Sequence, residues 1–215
     1  MNDPAIQCLT ADGLNLSHEA QVQALCAAGA KWIQLRMKQA TDDEVAAVAE
    51  ACLPVCRHAG CRLIVDDRVE SALRVGADGV HLGKRDMAWA DARKILGGQR
   101  ILGGTVNSPT DARAAVASGV LDYVGVGPFR YTRTKEHLAP VLTQEDWLTI
   151  LTILGPMPAY AIGGIQAGDL GAIRKLGASG VAVCSGLYKE LNIAENYRIY
   201  AKAWHMHSLL ERTRG

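Results

Sequence analysis

The segment Asp122-Tyr-Val-Gly-Val-Gly-Pro-Phe-Arg-Tyr-Thr-Arg-Thr-Lys135 passes from a short apolar strand, Tyr123 to Val126, into a loop dense in polar chemistry. Gly127-Pro128 stops the strand, and hydroxyls at Thr132 and Thr134 then alternate with cations at Arg130, Arg133 and Lys135. Hydroxyl donors beside a lysine suit a phosphate, which takes charge-assisted hydrogen bonds. For this loop taken alone, a solvated surface turn is the plain alternative. Elsewhere the chain places Gln34, Arg36 and Lys38 in one short run, the acidic pair Asp66-Asp67 in another, and Asp86 in a third. These side chains act together only if the fold gathers them.

A repeated phrase supplies such a fold. Helical stretches end in Gly-Ala or Gly-Val, two residues pass, and a short apolar strand follows, at Gly29-Ala30, Gly76-Ala77, Gly119-Val120 and Gly177-Ala178. Glycine at a helix end takes the left-handed cap that other residues resist. Further apolar strands are expected at Ile6 to Leu9, Arg62 to Val65, Arg100 to Leu102 and Ala159 to Ile162, giving eight in all. The intervening segments read as amphipathic helices over His18–Ala28, Asp42–Ala59, Val69–Val75, Ala88–Leu96, Pro109–Ser118, Gln144–Leu154 and Ala167–Leu176, with a tail from Ala194 to Arg212. Thr41 and Ser108 stand where caps are needed. Eight strand-helix units with near-continuously apolar strands predict an α/β fold, a closed (β/α)8 TIM barrel. An open doubly wound sheet is the alternative, but the first βα turn has no G-x-G-x-x-G run. No linker or low-complexity tract divides the 215 residues, so residues 1–215 are expected to form a single domain.

In such a barrel the residues after each strand share one rim. That rim collects Gln34, Arg36 and Lys38, then Asp66 and Asp67, His81 to Asp86, Gly103 to Asn107, the Thr132–Lys135 loop, Gly163-Gly164, and Cys184-Ser185-Gly186. Acids among cations make a poor anion site unless a metal lies between them. Mg2+, held by one or two carboxylates and completed by phosphate oxygens and water, resolves the mixture. Glycine pairs after strands seven and eight suit backbone N–H contacts to a phosphate. Structural roles remain open for each group: a helix cap and an Arg68 partner for Asp66 and Asp67, a cap before Ala88 for Asp86, a salt bridge for Arg36 and Lys38, and helix-start turns for the glycines.

The totals exclude several classes. With 23 basic and 22 acidic residues there is no broad field for nucleic acid or a membrane surface. No apolar run approaches the length of a membrane span and the first residues carry no export signal, so a cytoplasmic protein is expected. The six cysteines, Cys8, Cys26, Cys52, Cys56, Cys61 and Cys184, lie in apolar stretches and are expected as reduced core residues. A metal reading of Cys52, Cys56 and Cys61 lacks a CxxC pair or a matching histidine. His81 falls within a strand and reads as a satisfied core residue; His205 and His207 read as surface.

The ordered set of Gln-Leu-Arg-x-Lys at 34–38, Asp66-Asp67, Ala77-Asp-Gly-Val-His-Leu-Gly83 with Asp86, Gly125-x-Gly-Pro to Thr132-x-Thr-Lys135, Ala161-Ile-Gly-Gly-Ile165 and Gly180-Val-Ala-Val-Cys-Ser185 resembles the thiamine phosphate synthase family over nearly the whole chain. The resemblance implies condensation of 4-amino-2-methyl-5-hydroxymethylpyrimidine diphosphate with 4-methyl-5-(2-phosphooxyethyl)thiazole, or its carboxylated form, to give thiamine phosphate and diphosphate. It implies Gln34, Arg36 and Lys38 on the pyrimidine diphosphate, Asp67 and Asp86 on Mg2+, and Thr105 and Lys135 on the diphosphate. Thr132, Thr134, Gly164, Cys184 and Ser185 would hold the thiazole phosphate, and a homo-oligomer is implied as well. Arg36, Lys38 and Lys135 would act where charge develops on the leaving diphosphate.

Four positions depart from the family pattern. Asp66 stands for a usual asparagine, which bears on its pyrimidine contact; Thr105 stands for serine, Asn107 for a common histidine and Tyr131 for a frequent proline. The sister thiazole tautomerase, which moves a proton with a histidine after strand five, is the near rival, and Asn107 cannot serve it as a base. A non-catalytic binding protein for a thiamine precursor is the alternative of another class.

Overall fold

In the computed structural model, residues 4–132 and 139–212 are described. Thr134 and Lys135 lie outside these described residues. Eight parallel strands close on themselves in sequence order: β1 Ile6–Leu9, β2 Trp32–Leu35, β3 Arg62–Asp66, β4 Gly79–Leu82, β5 Ile101–Val106, β6 Tyr123–Val126, β7 Ala159–Ile162 and β8 Gly180–Val183, with β8 pairing back onto β1. The helices α1 His18–Ala27, α2 Asp42–His58, α3 Val69–Val75, α4 Trp89–Leu96, α5 Pro109–Ser118, α6 Gln144–Leu154, α7 Leu170–Leu176 and α8 Ile193–Arg212 alternate with them. Short 3-10 turns, Ala167–Asp169 and Ser185–Leu191, follow β7 and β8. This is the single (β/α)8 TIM barrel that the repeated phrase predicts.

The local causes are visible at the joints. Gly29, Gly76, Gly119 and Gly177 all adopt positive φ between 62° and 97°, so each turns its helix back toward the next strand at a backbone angle that other residues resist. At the other ends, Thr41 and Glu44 form a reciprocal capping box on α2, and Ser108 accepts from the Asp111 N–H on α5.

Alternation along the strands sorts side chains into two compartments. Leu35, Leu63, Val65, Val80, Leu82, Leu102 and Val126 point outward into the layer shared with the helices. Trp32, Ile64, Tyr123 and Tyr160 point inward as a separate cluster, with edge-to-face contacts of 4.7 Å between Trp32 and Tyr123 and 4.9 Å between Trp32 and Tyr160. Their rings fit because inward positions of neighbouring strands carry no side chain. A Cβ on Gly103 would lie 2.2 Å from the Tyr123 ring, and one on Gly180 would lie 2.6 Å from the Tyr160 ring.

The largest boundary difference from the sequence reading is at strand five. Strand five does not stop at Leu102 but runs to Val106, so Gly103, Gly104 and Thr105 pair with Tyr123, Val124 and Gly125 as strand residues. The glycines look like a loop in sequence, yet here they are what lets the Tyr123 ring fill the barrel. Thr105 is therefore a buried interior residue just below the rim.

Candidate active site

The C-terminal ends of the strands surround one cavity. Gln34, Arg36, Lys38, Asp66, Asp67, Thr105, Thr132, Gly164, Cys184 and Ser185 all line it, together with His81 and Asn107. Asp86 is not among the lining residues and approaches the cavity through Asp67, while Lys84, on the same rim, turns instead to Asp111.

The densest chemistry lies after β2, β3 and β4. Gln34 Nε2 donates to Asp66 Oδ1 at 2.6 Å, and the Lys38 ammonium lies 2.7 Å from Asp66 Oδ2 while also holding Asp67 Oδ2. Arg36 Nε lies 3.8 Å from Asp66. Asp67 takes a left-handed φ of 64°, which an aspartate tolerates better than most side chains. Its N–H donates to the His81 carbonyl oxygen at 2.9 Å, so the turn is pinned to β4. Asp86 Oδ2 accepts the Gly83 N–H at 2.6 Å, and a Cβ on Gly83 would lie 2.9 Å from that oxygen. Neither Asp66 nor Asp86 caps a helix: the caps of α3 and α4 are Arg68 and Ala88, without side-chain cap bonds. Arg68 does approach Asp67 at 3.9 Å but binds Asp42 at 2.7 Å.

The protonation equilibria follow from this crowding. Burial, reinforced by the Asp67 charge, raises the Asp66 pKa despite Lys38 and Arg36. For Asp67, burial is outweighed by a hydrogen bond from Asp86 and by Lys38, and its carboxyl stays below the usual range. Burial and the shared hydrogen bond with Asp67 push Asp86 up to about 6. Burial opposes the Lys38 charge, yet its two carboxylates hold its pKa above the ordinary value. Asp67 and Asp86 are neighbouring carboxylates at the mouth, oxygen donors of the kind a hard divalent cation takes. Asp67 and Asp86 fit the metal role that the resemblance implies.

A buried polar chain supports the mouth from below. Gln7 Nε2 donates to the Tyr123 hydroxyl at 2.9 Å, that hydroxyl bonds His81 Nδ1 at 3.0 Å, and His81 Nε2 bonds Thr105 Oγ1 at 3.1 Å. His81 is a satisfied interior residue, as expected, and it also fixes the Thr105 hydroxyl at the cavity wall.

The side formed by β6, β7 and β8 is built differently. Gly163 and Gly164 have φ of 99° and 62°, and a Cβ on Gly164 would lie 2.8 Å from the Tyr131 carbonyl oxygen. Glycine is required because the loop after β6 packs onto this turn, a reason distinct from approach to an anion. Arg130, one of the loop cations in sequence, is turned away to Asp169, with Nη2 at 2.5 Å from Oδ1. Cys184 is held toward the Thr10 carbonyl oxygen, 3.8 Å away, and burial pushes its thiol up to about 11. Asn107 Nδ2 donates to the Gly127 carbonyl oxygen at 2.5 Å.

The loop after β1 was not foreseen. Thr10 Oγ1 accepts the Arg36 N–H at 2.9 Å and bonds His18 Nδ1 at 2.9 Å, while Asp12 accepts the Lys38 N–H at 2.9 Å and lies 3.1 Å from His18 Nε2. These contacts hold the backbone from which Arg36 and Lys38 project. The only trace in sequence is Thr10-x-Asp12 directly after a strand.

Comparison with known proteins agrees with this architecture. Residues 6–187 match the family model described as thiamine monophosphate synthase. A thiamine-phosphate synthase of Bacteroides fragilis is 42% identical over 187 residues, covering 85% of this chain and 91% of that one. Another from Bacteroides thetaiotaomicron is 45% identical over 159 residues, 72% of this chain and 76% of that one. Among solved structures, a thiamine phosphate pyrophosphorylase from Pyrococcus furiosus superposes with a TM-score of 0.85 at 29% identity, covering 96% of this chain and 98% of that one. With a matched family model spanning most of its length and relatives above 40% identity, the chain belongs to the thiamine monophosphate synthase family.

Proposed function

We propose that the protein joins 4-amino-2-methyl-5-hydroxymethylpyrimidine diphosphate to 4-methyl-5-(2-phosphooxyethyl)thiazole, or its carboxylated form, and releases diphosphate. The observation that carries this reading is the Lys38–Asp67–Asp86 contact at the barrel mouth, with Arg36 beside it. The relatives' names support the same activity.

In the reaction the C–O bond between the pyrimidine methylene and the diphosphate breaks, the electron pair leaves with oxygen, and the thiazole nitrogen forms the new C–N bond. The electron-rich aminopyrimidine bears the transient cation, so no protein nucleophile is required. Asp67 and Asp86 would hold Mg2+, which when bound supplies positive charge to the diphosphate oxygens. Lys38 and Arg36 stand where the leaving group gathers charge, and Lys135 is proposed there from its place in the sequence. Gln34, fixed by Asp66, and the Thr105 hydroxyl, fixed by His81, face the cavity from below as orienting groups. Thr132, Gly164, Cys184 and Ser185 line the opposite wall, where they would receive the thiazole phosphate with Thr134.

The tautomerase reading is disfavoured because the Asn107 amide is spent on the Gly127 carbonyl and carries no basic nitrogen. Among the described residues no helix is long and apolar enough to cross a membrane; a cytoplasmic homo-oligomer acting on small molecules is part of the proposal. The test is incubation with both substrates and Mg2+. Equimolar thiamine phosphate and diphosphate are expected, whereas tight binding of the thiazole phosphate without diphosphate release would favour a non-catalytic binding protein.

A further inference from the structure

At the opposite end of the barrel, three thiols converge from separate elements. Cys26 lies in the last turn of α1, Cys56 in the last turns of α2, and Cys61 at the entry to β3. All three are buried and none is in a disulfide. The Cys26 and Cys56 sulfurs are 4.0 Å apart, and all three lie within 4.8 Å of one another. Two sulfurs on one three-coordinate ion at about 2.3 Å each would be separated by about 4.0 Å, whereas a disulfide requires about 2.05 Å. The Cys26–Cys56 spacing is that of two sulfurs sharing an ion, and the third sulfur lies within reach of both.

The donor set is all sulfur. No imidazole or carboxylate joins the group among the described residues, and thiolates select soft cations over hard ones. A cation is also at hand. Lys31 Nζ is anchored on the Ala59 carbonyl oxygen at 2.6 Å, at the same joint between α2 and β3.

We propose that Cys26, Cys56 and Cys61 form a buried three-sulfur site for a soft d10 metal cation, with cuprous ion favoured because three ligands complete its coordination. Binding displaces thiol protons to solvent and changes no oxidation state. The site would fasten the ends of α1 and α2 to the start of β3, far from the mouth, so it is independent of the proposed catalysis.

The test uses the full chain, reduced and anaerobic, titrated with cuprous acetonitrile complex. One ion per chain is expected, with a thiolate-to-copper charge-transfer band, three sulfur neighbours by X-ray absorption and a raised Tm. Cys26→Ser, Cys56→Ser and Cys61→Ser should each weaken uptake at least about a hundredfold, while Cys52→Ser and Cys184→Ser leave it intact. Two sulfur neighbours or fewer, or wild-type uptake by any of the three variants, would overturn the proposal. The sulfur count is read on the wild-type chain, so the proposal stays falsifiable even if a serine variant fails to fold. Zinc offered in place of copper should bind more weakly, lacking a fourth protein ligand; zinc bound more tightly than cuprous ion would contradict the three-coordinate assignment.

Discussion

The barrel interior holds two compartments only two residues apart along the same strands. On β2 the inward positions are Trp32 and then Gln34, on β3 they are Ile64 and then Asp66, and on β6 they are Tyr123 and then Gly125. The lower layer is an aromatic plug that shuts the floor; the upper layer is polar, charged and open. The period of a strand fixes which side chains face inward, but depth along the barrel decides their chemistry. The plug excludes water from beneath, so the carboxylates and cations above it interact in a poorly solvated setting. Tyr123 joins the two compartments, its ring in the plug and its hydroxyl on His81.

This contrast predicts that substitutions in one layer change rate and those in the other change stability. The largest effect is expected from Asp67→Asn, which tolerates the left-handed backbone while removing the charge. Condensation should slow by roughly a thousandfold, about 4 kcal/mol of barrier, with Tm nearly unchanged in a thermal melt. Trp32→Ala should do the reverse. It should destabilise by about 3–5 kcal/mol in urea unfolding, while the folded fraction retains much of its turnover. Tyr123→Phe removes only the connecting hydroxyl and leaves buried partners on Gln7 and His81 unsatisfied, a cost of about 1–3 kcal/mol, with a modest fall in rate as Thr105 loses its support. Smallest is Arg130→Gln, whose cation is already committed to Asp169 outside the cavity; its steady-state rate should match the wild type, and a large loss there would blur the boundary between site and scaffold.

Much of this was legible in the sequence because backbone chemistry is local. A glycine at a helix end announces a left-handed cap, and Gly29, Gly76, Gly119 and Gly177 all take it. The rim residues could then be grouped because a barrel puts all strand ends on one face. What failed to show was long-range. Gly103 and Gly104 read as a loop because nothing local reveals that the Tyr123 ring needs the space. Arg130 read as a loop cation because its partner Asp169 is 39 residues away. The support of Arg36 and Lys38 by Thr10 and Asp12 spans 26 residues. The thiol trio replaced Cys52 by Cys26, since Cys52 and Cys56 share a helix while Cys26 arrives from α1. Asp67 and Asp86 lie side by side, although spacing alone left each with a capping role.

The central claim is that the acids after β3 and β4 serve the leaving diphosphate through a divalent cation. The direct measurement is Mn2+ binding, followed by electron paramagnetic resonance, to the wild type, Asp67→Asn and Asp86→Asn in the presence of the pyrimidine diphosphate. Each substitution is predicted to weaken Mn2+ binding at least about tenfold while the fold persists by circular dichroism. Wild-type affinity in both variants would contradict the account.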